Sequence, residues 1–402
     1  MKNDIYLSMS FLPLFSFPNF NTYSTPLLIL VLQGLIFIVL LFAKYFKYKN
    51  PSHLILALIL LLVCYQQVCY TVGFMGWYDT YRNTKINYWL IPISLFLAPL
   101  IYLYVKSVTT SKFIFKGKDW WHFGPAIVLL AYRITIYLYD STQPGFVDTQ
   151  NGFLKLTLDE PIVLPILSFL DFAVMLLYLA FTFQLFYNYR NKIKQYFSNT
   201  YKLELNWVLS FLVVFSSLFL YGVIQMLINE YVTELSYKQQ WWLNLFMALV
   251  TLYVGVRGYF TDTTKLKRLN FSFTPNPISI PQPDNSKEVS QEEITIVKVY
   301  MENEKPYLNP DLNLSDLANE VKMTRAQLSQ VINSGFNKNF NDFVNSFRVK
   351  AFKEKLSEGK QQQLSLLGIA YDCGFNSKAT FNRVFKKLTN TSPTEFMNSN
   401  MN

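Results

Sequence analysis

Charge is scarce in this sequence. Only 15% of its 402 residues are Asp, Glu, Lys or Arg, where an ordinary soluble domain carries about a quarter. Cysteine is nearly missing: three residues exclude a disulfide-built secreted module. Two histidines leave no set for a multi-histidine metal centre. No phosphate-binding loop, dinucleotide fingerprint, HExxH or GxSxG element occurs. No catalytic residue, metal or cofactor is therefore indicated, and the chain reads as not an enzyme.

Apolar and aromatic side chains fill the space that charge leaves. Hydrophobic residues make up 51% and aromatics 17%, with 36 Phe and 27 Tyr, and the mean hydropathy is +0.18. Such a composition excludes disorder, which needs low hydrophobicity and high charge, and places much of the chain in lipid. The charge is also uneven. The last 112 residues carry 26 charged side chains, close to a soluble density, whereas the first 290 carry 36, clustered between apolar runs.

A helix needs about 20 mostly apolar residues to cross the hydrocarbon core. Seven segments qualify, at 26–43, 54–74, 88–105, 120–139, 162–187, 205–228 and 241–256. All seven Trp fall at or just beyond a segment end, at the headgroup level that indoles favour. The segments following the first, third, fifth and seventh spans hold fifteen basic residues (among them Lys44, Lys116, Arg190 and Arg257), against five on the other side: Lys2, Arg82, Lys85, Lys155 and Lys238. Basic residues stay cytoplasmic. The expected topology is a multi-pass protein of the inner membrane with the N-terminus outside and the C-terminus in the cytoplasm. The apolar stretch 11–20 is broken by Pro13 and Pro18 with no small-residue cleavage site after it, so it is not read as a signal peptide.

The expected organisation is a seven-span domain over 1–260, a Pro-rich cytoplasmic linker over 261–289, and a soluble helical domain over 290–402. The linker holds Pro275, Pro277, Pro281 and Pro283, which favour an extended spacer. Ser290 and Glu293 form a capping-box pattern opening the first soluble helix.

The soluble part repeats one pattern. In 314–334, Ser315 is placed to cap a short helix with Leu317, Ala318 and Val321 inward; Lys322-Met323 turns; Thr324 caps a second helix with Leu328, Val331 and Ile332 inward. In 364–388, Ser365 caps, Ile369 and Ala370 face inward, Gly374-Phe375 turns, and Ser377 caps a helix lined by Phe381, Val384, Phe385 and Leu388. Leu317 and Ile369, Ala318 and Ala370, and Met323 and Phe375 are each 52 apart; Leu328 and Phe381, and Ile332 and Phe385, are each 53 apart. Helix, tight turn, helix, with a small residue at the crossing, is the helix-turn-helix. Phe340, Phe343, Phe347, Ala351 and Phe352 recur at helical spacing between the units. A spacer helix of that length suits two recognition helices about one major-groove repeat, ~34 Å, apart. The fold class predicted is all-α: a polytopic seven-helix membrane bundle plus a soluble domain with two helix-turn-helix units joined by a linker helix.

Three stretches, LSDLANEVKMTRAQLSQVIN, NDFVNSFRVKAFKEKL and IAYDCGFNSKATFNRVFKKLTNTSP, make 314–396 resemble the DNA-binding domain of AraC/XylS-type bacterial transcription regulators. The resemblance covers about a fifth of the chain. It implies the paired helix-turn-helix fold and sequence-specific promoter binding. Two positions depart from its pattern: Asn390 and Lys322 stand where Gly is usual. Asn tolerates the left-handed backbone that Gly otherwise supplies.

With the apolar sides buried, the outward positions are Arg325, Ala326, Ser329, Gln330 and Asn333 in the first unit, and Lys378, Ala379, Asn382, Arg383 and Lys386 in the second. Gln and Asn can pair with adenine and Arg with guanine, while Ala permits close approach or contact with a thymine methyl. Alignment to the family pattern places Ala326, Ser329 and Gln330, and Ala379, Thr380 and Arg383, at base-reading positions. Lys378, Arg383, Lys386 and Lys387 are placed to meet phosphates. From residue 345 onward there are 9 basic and 4 acidic residues, against 5 and 8 in 291–344, so charge favours the second unit. The domain's net charge of +2 is modest, and a homodimer would strengthen binding.

Arg133 and Asp171 lie within spans at similar depth. Each alone would be costly in lipid, so the two are expected to pair, either as a ligand or gating site or as a structural clamp. The external loop 140–161, with Asp140, Asp148, Asp159 and Glu160 against Lys155 alone, is read as a solvated charged loop, with a site for a cation or basic ligand as the alternative. The partners expected are promoter DNA, the lipid bilayer, and an external or membrane ligand sensed through the spans. A transporter or channel with an appended DNA-binding reporter is the alternative.

Overall fold

The computed structural model describes residues 17–81, 84–89, 93–110, 113–201, 203–261 and 289–401. The chain divides into two compact units, Met1–Phe186 with Asn206–Thr274, and Tyr187–Leu205 with Pro275–Asn402. Nearly all of the 261–289 linker lies outside the described residues. The architecture is all-helical; among the described residues no strand forms, and one isolated antiparallel bridge joins Phe197 to Asn313.

The first unit contains α1 (Ser24–Tyr48), α2 (Pro51–Phe74), α3 (Ser94–Thr109), α4 (Gly124–Ser141), most of α5 (Leu164–Tyr196), α6 (Asn206–Tyr231) and α7 (Tyr237–Phe260). Local chemistry starts them. Asn50 accepts from the Ser52 N–H at the head of α2 with Pro51 in its first turn, and Ser236 with Gln239 forms a capping box on α7. Small residues let α1, α2 and α7 approach: a Cβ on Gly258 would stand 2.1 Å from Leu56 Cδ2.

Six of the described helical stretches are long and apolar enough to cross a membrane, Lys155–Tyr196 being the longest at 42 residues. The third expected segment is a shorter apolar helix, α3, of 16 residues, about 24 Å at 1.5 Å per residue. It is short because Tyr88 belongs to a separate turn, Ile86–Tyr88, and is buried with its hydroxyl on Asp140 Oδ2 at 2.7 Å.

The expected pair of Arg133 with Asp171 is corrected. Arg133 pairs with Asp159, which also pairs with Lys155, all three nearly fully buried, and not with Asp171. The reason is that helix begins at Lys155, nine residues before α5 in a π-type stretch, Lys155–Val163. The loop 140–161 is accordingly not wholly solvated: Asp140 is buried and accepts from the backbone of Leu154 at 2.8 Å and Lys155 at 3.0 Å.

The second unit contains the end of α5, the segment to Leu205, and α8 (Gln291–Asn303), α9 (Leu314–Glu320), α10 (Arg325–Gln330), α11 (Phe340–Ser357), α12 (Leu366–Asp372), α13 (Lys378–Thr389) and α14 (Pro393–Met401). Ser290, Thr324, Ser365 and Ser377 cap the helices that follow them. Ser315 does not: Asn313 caps α9 by accepting from Ser315 N and Asp316 N, because the helix starts two residues earlier than a Ser315 cap requires, at Leu314. The amphipathic faces then share one core. Phe352 of α11 lies 4.8 Å from Phe381 and 5.4 Å from Phe385 of α13, ring centre to ring centre, each ring worth about 1.5–3 kcal/mol on burial. Leu388 is 37% exposed, outside this core, at the end of α13 where the chain turns away through Asn390.

Candidate nucleic-acid interface

Each helix-turn-helix depends on a residue that reverses the chain between its two helices. In the second unit this is Gly374, at φ +90°, where a Cβ would meet Tyr307 O at 2.3 Å and Arg348 Nε at 3.0 Å. In the first it is Lys322, at φ 55°, and α13 ends on Asn390 at φ 61°. All three adopt the left-handed backbone that favours glycine.

Beneath the two units lies Arg348 of α11, 1% exposed. Its guanidinium donates to Tyr307 O at 2.8 Å, Asn309 O at 2.8 Å, Asn345 Oδ1 at 3.2 Å and Ser198 Oγ at 3.1 Å. Burial among neutral acceptors pushes its pKa down to about 10, so it stays charged at neutral pH. Asn341 and Asn345 reach the same segment, donating to Ser198 O at 2.8 and 3.2 Å. Ser198 itself donates from N and Oγ to Leu312 O, at 3.2 and 2.6 Å.

The two second helices present their outer faces as follows. Arg325 and Ala326 are exposed at the head of α10, while Ser329 and Gln330 are half-buried; Asn333, just beyond α10, is exposed and donates to Ser329 Oγ at 3.3 Å. Lys378, Ala379, Asn382, Arg383, Lys386 and Lys387 are exposed on α13. Thr380 is not available: it is 3% exposed, its N–H and hydroxyl both engaged with the Ser377 side chain that caps the helix. The capping geometry turns that position inward.

Three exposed cations are already paired. Lys387 meets both oxygens of Asp342 at 2.7 and 2.8 Å. Arg325 donates to the Tyr196 hydroxyl. Arg383 donates from Nη1 to both oxygens of Glu204, at 3.0 and 3.2 Å. Glu204 also accepts from Thr200 Oγ1 at 2.7 Å and Arg190 Nη2 at 3.3 Å. Burial alone would raise its pKa, but the Thr200 hydroxyl and the two guanidiniums outweigh this and hold the carboxyl below the usual glutamate range.

Residues 317–399 match a family model described as a helix-turn-helix domain. The probable transcription factor PqrA of Proteus vulgaris is 30% identical over 88 residues, 22% of this chain and 70% of that one. The chain belongs to the AraC-type helix-turn-helix regulators. An uncharacterized HTH-type transcriptional regulator in the cgkA 5' region of Pseudoalteromonas carrageenovora is 31% identical over 116 residues, 28% of this chain and 66% of its own, just under two thirds. No solved structure matches.

Sequence reasoning missed Arg348 and Glu204 in this regulator. Both left a trace. Arg348 lies one turn from Val344 and one from Phe352 on the buried stripe of α11, where a cation demands acceptors. Glu204 is the one acidic residue in an otherwise basic stretch, 188–204.

Proposed function

We propose that the regulator is anchored in a membrane by its apolar helices and reads promoter DNA with α10 and α13, controlling transcription in response to a signal received through those helices. The observation that carries this is the pair of helix-turn-helix units on one core, each with its second helix facing outward. On α13, Arg383 offers a two-pronged donor suited to guanine O6 and N7, Asn382 suits adenine, and Lys378 and Lys386 suit phosphates. On α10, Ala326, Ser329 and Gln330 form the second, less charged reader.

Anchoring is supported by exposed apolar side chains along the long helices, such as Ile36 at 57%, Val39 at 67%, Phe169 at 68% and Leu220 at 59%. So much exposed apolar surface belongs against lipid rather than water. The proposed orientation puts the C-terminus in the cytoplasm, following the basic side of the loops.

Genome-wide capture of DNA crosslinked to the full-length protein tests the function. A set of promoter fragments sharing a two-part motif, lost on Arg383→Ala, is the expected result; recovery of sequence-random DNA would refute specific reading. A reporter fused to the C-terminus must be active on the cytoplasmic side.

A further inference from the structure

The two arginines best placed to touch DNA are held by one short stretch of the chain, residues 196–204. Glu204 holds Arg383 by Nη1, which reaches both carboxylate oxygens, a charge-assisted contact, and an Nη1 so held is not free to donate to a base edge or a phosphate. Tyr196 takes Arg325 through its hydroxyl, with the guanidinium carbon 5.9 Å from the ring centre.

This is not a loose surface contact. The Glu204 side chain is 2% exposed, fixed by Thr200 and Arg190. The stretch that carries it is seated by the bridge of Phe197 with Asn313 and by Asn341, Asn345 and Arg348 on Ser198. The Tyr189 hydroxyl, two helical turns before Tyr196, also holds Leu203 O at 2.7 Å. Residues 187–205 thus form part of the compact unit that bears both recognition helices, although in the chain they are the end of α5 and its connection to α6, two of the helices apolar enough for a membrane.

We propose that segment 196–204 is a built-in competitor of DNA, a latch that occupies Arg325 and Arg383 and must let go before the recognition helices engage the duplex. The proposal rests on α10 and α13 being the DNA readers. It also gives the apolar helices a direct handle on the reader: any shift of the α5 end or the α6 start that withdraws Glu204 frees Arg383, without the reader changing its own fold. Only a ligand that binds the released and latched states unequally could drive that shift.

The test measures affinity of full-length protein in lipid nanodiscs, at one fixed salt concentration, for a labelled duplex selected from a random library by that same protein. Glu204→Gln, which keeps the shape and removes the charge, is expected to tighten binding roughly tenfold, the scale of one charge-assisted interaction at a half-exposed arginine. Thr200→Val, which loosens the carboxylate without deleting it, is expected to tighten it by about two- to threefold, a fraction of one hydrogen bond. Arg383→Ala is expected to weaken binding, and adding Glu204→Gln to it should bring no recovery, because Glu204 then has no recognition arginine to hold. If Arg383→Ala weakens binding while both Glu204→Gln and Thr200→Val leave it unchanged or weaken it, the latch is overturned and the reader assignment stands. If Arg383→Ala has no effect, the assignment of α13 falls and the latch falls with it.

Discussion

Gly374 offers a direct measure of how tightly the second helix-turn-helix is built. Gly374→Ala adds one carbon at φ +90°, 2.3 Å from Tyr307 O and 3.0 Å from both Leu308 O and Arg348 Nε. Forcing an L-residue into a left-handed backbone costs about 1–2 kcal/mol. The carbonyl cannot simply swing aside, because Tyr307 O accepts from Arg348 Nε at 2.8 Å, a charged hydrogen bond worth about 1.5–3 kcal/mol. Together these amount to roughly 3–5 kcal/mol. Gly359→Ala is the control: its φ is +79° but nothing lies within 4 Å of the added carbon, so only the backbone cost of about 1–2 kcal/mol applies. Hydrogen exchange read by mass spectrometry on the full-length protein should show protection of α11 and α12 falling by a factor of about 100 or more for Gly374→Ala and about tenfold for Gly359→Ala. Equal losses in the two variants would show that the close approach of 306–308 to Gly374 does not constrain the fold.

Lys322→Gly, at φ 55°, should stabilise the first helix-turn-helix by about 1 kcal/mol, seen as slower exchange in α9 and α10; faster exchange would contradict a left-handed turn there. Asp159→Asn would leave Arg133 and Lys155, both nearly fully buried, without their counter-charge, at about 3–5 kcal/mol. The expected result is loss of the monodisperse peak on size exclusion in detergent, and a wild-type profile would refute the buried cluster. The Glu204 carboxyl lies below its ordinary range, so its contribution is fully present above the unfolded-state pKa and is lost as pH falls through the lower folded-state value. Exchange at Leu203 should thus stay flat from neutral pH down to the usual glutamate range and accelerate only in stronger acid, after correction for the intrinsic rate. A rise between pH 7 and 6 would contradict the pairing.

What was legible in the sequence is what neighbouring residues decide among themselves. Ser290, Thr324, Ser365 and Ser377 cap their helices because a cap needs only a hydroxyl and the N–H groups two or three residues on. The paired helix-turn-helix was legible through a repeated apolar pattern, and the apolar helices through their length. Small displacements, such as Ser315 read for Asn313 two residues before it, or Thr380 turned inward, arise where two polar candidates compete and only the packed core chooses between them. Arg133 was misassigned because depth along a span was counted without knowing that helix begins as early as Lys155. The bond from Arg348 to Ser198 spans 150 positions, and that from Arg383 to Glu204 spans 179. No periodicity or spacing encodes such pairs. Local hydrogen bonds and amphipathic period are properties of the chain, whereas the partner of a buried charge depends on which distant segment the fold brings within 3 Å of it.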